Sequence, residues 1–209
     1  MDLHLWFAFV AASVVLLLIP GPTVLLILSY ALSQGRRVAL ATVAGVTLGD
    51  FLAMSASLMG LGALVLASAM LFTVLKWVGA VYLVYLGVQL WRSAGSGAAL
   101  GALAETRALP ARAVFGHAAL VTALNPKSIA FFVAFVPQFV DPSSPLLPQF
   151  AILIATFVGL AGLNTLAYAL LADRMRVRIG RPGVIAGLSR AGGVALVGMG
   201  VMTAALRRA

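Results

Sequence analysis

LVTALNPKSIAFFVAFVPQFV, residues 120–140, is apolar nearly throughout, yet Asn125, Pro126 and Lys127 stand side by side near its front. A helix breaker and a charge inside a lipid-compatible run decide how the rest of the chain is read. Of 209 residues, 63% are hydrophobic and 9% are charged, with a mean hydropathy of +1.11. Soluble domains carry about a quarter charged residues. The solvent to assume is therefore a bilayer, whose hydrocarbon core of roughly 30 Å takes about 20 helical residues to cross.

Six spans are expected, at 5–32, 38–66, 71–91, 113–139, 148–172 and 184–206. The short alternating segments of a membrane β-barrel do not occur, so the expected fold class is all-α and polytopic. The first run is read as span 1 and not as a cleaved leader: its lead-in MDLHLW holds an acid and no Lys or Arg, and no small-residue cleavage pattern follows. The chain has no Cys, which removes disulfides and thiolate metal sites.

The net charge of +9 is a topology signal once the positions are read. Arg36, Arg37, Arg92, Arg107, Arg112, Arg174, Arg176, Arg178 and Arg181 fall on one side, against Lys76, Arg207 and Arg208 on the other. Basic loops face the cytoplasm, so both termini are expected outside, and no nucleic acid is expected as a partner. The small, polar connector 93–112 divides the chain into repeat one, 1–92, and repeat two, 113–209, within a single membrane domain.

The two parts align. Placing Pro22 on Pro126 puts Gln34 on Gln138. With ten extra residues in the second loop, Gly45 falls on Gly159, Asp50 on Asn164, Lys76 on Arg190 and Gly79 on Gly193. Three spans per repeat force opposite orientations, a 3+3 inverted topology of the kind found in secondary transporters.

Span 1 carries its own breaker, Pro20, Gly21 and Pro22, where span 4 carries Asn125, Pro126 and Lys127. Each Pro lacks an N–H and obstructs the preceding turn. The released backbone groups need neighbouring helices, water or a ligand. Such breaks either shape packing alone or present two positive helix ends to a carboxylate. Asp50 lies deep in span 2 after the small residues Gly45 and Gly49. An ionisable group there costs about 2.5–3.5 kcal/mol unless a cavity or partner receives it. Asp50 is the candidate to hold an ammonium or exchange a proton, and Lys127 either meets a substrate carboxylate or pairs with Asp50. Asn164 is the candidate to orient a ligand. Lys76 and Arg190 are read as snorkelling side chains, His117 as hydrogen-bonded, and Tyr82, Tyr85 and Trp91 as an interface belt. The Gly-rich span 6 is expected to pack within its own chain, with a second protomer as the other candidate.

IPGPTVLLI, GVTLGD, LKWVGAVYLVYLGVQLWR and ALNPKSIAFFVAFVPQF resemble the LysE/RhtB translocators over essentially the whole chain. The resemblance implies a bacterial inner-membrane exporter of small amino acids such as threonine or homoserine, driven by the proton motive force. It implies no cofactor and no ATP, and the chain holds no phosphate-binding loop. Asn164 stands where some relatives carry an acid, which leaves the titrating carboxylate in question. An exporter of a metal cation from the same superfamily is the alternative, limited to hard oxygen ligands by the lack of Cys. An intramembrane aspartyl protease would need a second membrane Asp and a Gly where Thr47 stands.

Overall fold

The computed structural model describes residues 2–19, 21–34, 36–67, 69–94, 109–141, 143–179 and 182–205. Pro20, most of the connector, Arg107, Arg181, Arg207 and Arg208 lie outside them. Every regular element among the described residues is helical. The elements are α1 (Leu3–Leu18), α2 (Pro22–Gln34), α3 (Arg36–Ala67), α4 (Ala69–Ser93), α5 (Ala111–Ala123), α6 (Pro126–Ala130), α7 (Leu146–Ile179) and α8 (Pro182–Ala205). By length and composition five helices can cross a membrane, or six when the bent pair α1 and α2 counts as one span. The chain is a multi-pass membrane protein.

Span 1 is two helices whose axes differ by 58°. Span 4 is broken twice over. Leu124 and Asn125 interrupt it between α5 and α6, and the chain then widens into a π turn at Phe131–Phe135 and tightens into a 3-10 turn at Val136–Phe139. Pro137 accounts for the second irregularity, because it cannot donate to the helix ladder and its ring obstructs the carbonyl four residues back. The first break is the one expected at Asn125 and Pro126 within span 4, and the second, at 131–139, was not foreseen.

With no hydrophobic drive between helices in lipid, close packing needs small residues at the crossings. At Gly49 on α3 an added Cβ would stand 2.6 Å from the Ala119 carbonyl of α5. At Gly193 on α8 it would stand 2.6 Å from the Gly87 carbonyl of α4. The Gly-rich span 6 thus closes against α4 of its own chain, as expected. Gly159, placed on Gly45 by the repeat, meets nothing within 4 Å, so that pair is not alike in packing.

The main core gathers on the face that carries the start of α1 and the 143–145 turn. Phe132 meets Phe157 edge-on with centroids 4.8 Å apart, and Phe131, Phe135, Phe139 and Phe9 continue the cluster. Among the described residues α2 contributes nothing to this core. It rests instead on two small clusters, Val24 and Leu28 near Tyr168, and Ile27 against Val46 and Ala118.

Candidate functional site

The last carbonyls of any helix lack internal donors, and inside a membrane they need partners. Where α1 stops, the second half of the chain supplies them. The Lys127 ammonium donates to Leu16 O at 3.0 Å and to Ile19 O at 2.9 Å, and Asn164 Nδ2 donates to Leu17 O at 3.3 Å. A cation at the C-terminal end of a helix also meets the negative pole of its dipole. The charge in the break of span 4 therefore completes the break of span 1.

Asn125 performs the matching task for α6. Its side-chain oxygen accepts from the Lys127 backbone N–H at 3.1 Å while Pro126 occupies the first turn, where no donor is needed. Its Nδ2 reaches across to Thr23 Oγ1 at 3.1 Å. One polar side chain thus caps its own helix and ties it to α2.

These breaks surround a cavity of about 30 Å³ lined by Asp50, Asn125, Lys127, Ser128, Asn164, Thr165 and Thr23, with an apolar wall that includes Leu16, Leu17, Val24, Ile27 and Val46. Asp50 is 3% exposed. Its carboxyl group makes no hydrogen bond and no ion pair within 4.0 Å among the described residues, Lys127 included. Two of the three ammonium donors of Lys127 are taken by α1. The cavity therefore offers one acid that faces the Lys127 charge without a hydrogen bond among the described residues, one cation with a donor left over, and a rim of hydroxyls and amides.

Asp50, Asn125, Lys127 and Asn164 from the sequence reading all come together here. Gly21 sits beside them, with an added Cβ 3.6 Å from the Lys127 ammonium. Pro22 and Pro126 are exposed and set the breaks without lining the cavity. Pro20 lies outside the described residues. Thr23, Ser128 and Thr165 were missed, although each directly follows a residue that was named. His117 accepts or donates to Tyr30 OH at 2.9 Å, as expected of a hydrogen-bonded histidine. Tyr82 and Tyr85 stack at 6.0 Å on the outward face of α4, where Trp91 is 49% exposed.

The family model for LysE type translocators matches residues 14–206. The chain belongs to the LysE translocator family. This LysE-family chain is 36% identical over 204 residues to an uncharacterized membrane protein of Vibrio cholerae, covering 98% of each. It is 35% identical over 209 residues, the full length of both, to a homoserine/homoserine lactone efflux protein of Salmonella typhimurium. A leucine efflux protein of Salmonella choleraesuis is 27% identical over 170 residues, 81% of this chain and 79% of the relative. No solved structure matches. The LysE assignment makes the chain a transporter and not an enzyme, and the cavity between the two breaks is its candidate substrate site.

Proposed function

We propose that this translocator exports small amino acids or close derivatives across the bacterial inner membrane in exchange for protons. The observation that carries the reading is the carboxyl of Asp50, without a hydrogen bond among the described residues, in a cavity bounded by both helix breaks. A buried acid needs a compensating cation or a proton. An ammonium and a proton each supply one positive charge, so Asp50 can hold them in turn. The remaining donor of Lys127 faces the need of the substrate carboxylate, and the apolar wall receives the side chain. Relatives named for homoserine and leucine efflux that cover most or all of the chain support this substrate class.

A cavity of about 30 Å³ holds a water or two and no amino acid. The surrounding helices must part on one face at a time, as in alternating access. An inverted repeat would make the two faces equivalent in principle. Three features support it: Asp50 and its mate Asn164 line one cavity; α3 packs on α5 as α7 packs on α1 and α2; and α4 packs on α8. The distribution of basic residues supports a connector face in the cytoplasm. A metal-cation exporter would be favoured by a cluster of acids or imidazoles, and among the described residues no three of His, Cys, Asp and Glu come together.

Purified protein in vesicles loaded with radiolabelled homoserine or leucine tests the reading. Efflux accelerated by an imposed proton gradient, and proton uptake accompanying it, are the expected results. Label movement indifferent to the gradient would remove proton exchange, and retention of every amino acid tried would remove the substrate class.

A further inference from the structure

We propose that α2 is the gate of the connector face, closed in this structure by a polar seam along α5. The inference rests on the transporter reading above and adds where the substrate enters. Four hydrogen bonds join α2 to α5 and to the residues that flank it, Leu109 and Asn125. Asn125 Nδ2 donates to Thr23 Oγ1 at 3.1 Å, and Thr23 Oγ1 lies 3.5 Å from Thr122 Oγ1. Tyr30 OH lies 2.9 Å from His117 Nδ1, and Leu109 N donates to Gln34 Oε1 at 3.0 Å. Positions rise along α2 as they fall along α5, so the bonds form one antiparallel line. Its inner end, Thr23 and Asn125, lines the cavity; its outer end reaches exposed His117 and Leu109. Parting this line opens a path from the connector face to Asp50.

Three further features suit α2 to move. It is separated from α1 by the 58° break, so it can swing without carrying α1 with it. Among the described residues its side chains stand apart from the main core. Its partners across the seam are hydroxyl, imidazole and amide groups, which water satisfies equally well once the helices separate. A segment that rests on small clusters of its own, outside the main core, is the kind that opens locally while the rest of a protein holds.

The chain has no Cys, so introduced thiols are the only ones present. Gln34→Cys with Leu109→Cys places a pair at the outer end of the seam, away from the cavity. In vesicles loaded with radiolabelled homoserine or leucine, whichever the wild type carries, the uncoupled pair should transport. Bridging it with a short reducible bis-thiosulfonate should drop efflux to the level of protein-free vesicles, and reductant should restore it. Efflux unchanged by the bridge overturns the gate while leaving the transporter reading standing. Absence of efflux from the wild type removes both. If the unbridged pair is inactive, the near-isosteric Thr122→Cys decides: labelling by a water-soluble maleimide that speeds up during turnover supports the gate, and labelling unaffected by turnover overturns it.

Discussion

On the N-terminal face Phe9, Phe131, Phe132, Phe135, Phe139 and Phe157 interlock, whereas on the connector face Thr23, Tyr30 and Gln34 form a line of hydrogen bonds to α5 and to Leu109 just ahead of it. The cavity lies between them. Thr23 and Tyr30 are seven residues apart, and so are Phe157 and Asn164, about 10 Å along a helix in each case. The two faces are thus closed at similar depth by different chemistry. Ring packing has no substitute when helices separate, since it depends on a shape that water cannot reproduce. A hydrogen bond has one, because water takes the place of the lost partner. The difference teaches that a closed transporter can be firm on one side and ready to open on the other.

Substitutions that address each face can break this contrast. Phe157→Ala carries the largest expected effect on stability. Lipid provides no transfer drive, so the loss is the cavity term, about 2.4 kcal/mol for roughly 100 Å³ at about 24 cal/mol per Å³. A fall in thermal stability of the purified variant no larger than that of a seam variant would erase the distinction between the faces.

Lys127→Met comes next. It forfeits two charge-assisted hydrogen bonds, each about 1.5–3 kcal/mol, but it also removes a buried ammonium whose desolvation opposes folding. A net loss of about 1–2 kcal/mol is expected. Binding separates its two tasks: affinity for an amino acid should fall more than affinity for the decarboxylated amine. Equal losses would mean that Lys127 serves only the end of α1.

Tyr30→Phe is the smallest. It removes one hydrogen bond, and exposed His117 is rehydrated, so stability should fall by no more than about 1 kcal/mol. A loss as large as that of Phe157→Ala would show the seam to be structural cement.

Asp50, Asn125, Lys127 and Asn164 were legible in the sequence because a polar group within an apolar run is costly without a purpose. Thr23, Ser128 and Thr165 were not, since a hydroxyl can bond back to its own helix, as Thr165 does to Ala161 O at 2.6 Å, and so carries no visible cost. The receivers of Lys127 were hidden for another reason: they are backbone carbonyls of Leu16 and Ile19, and no residue type announces them. That left Lys127 with only a carboxylate or Asp50 to meet. The spans were legible to within a few residues, except where hydropathy and helix part company. Span 5, expected at 148–172, matches the apolar stretch Leu146–Leu171, while α7 runs on to Ile179, because a basic segment can leave the lipid and stay helical. Pro137 is in plain sight in VPQF, but the π turn before it depends on how the chain relieves the clash.

The central claim is that Asp50 holds the ammonium and the proton in turn. Asp50→Asn, purified and shown to be folded, should be compared with wild type for proton-driven efflux and for gradient-free exchange of labelled amino acid. Neutralising the acid that pairs with the substrate ammonium costs at least about 2 kcal/mol, close to 30-fold in affinity. The account predicts weakened exchange by about that factor and no response of the variant to a proton gradient. A folded Asp50→Asn variant that still drives efflux with the gradient at the wild-type rate would contradict it.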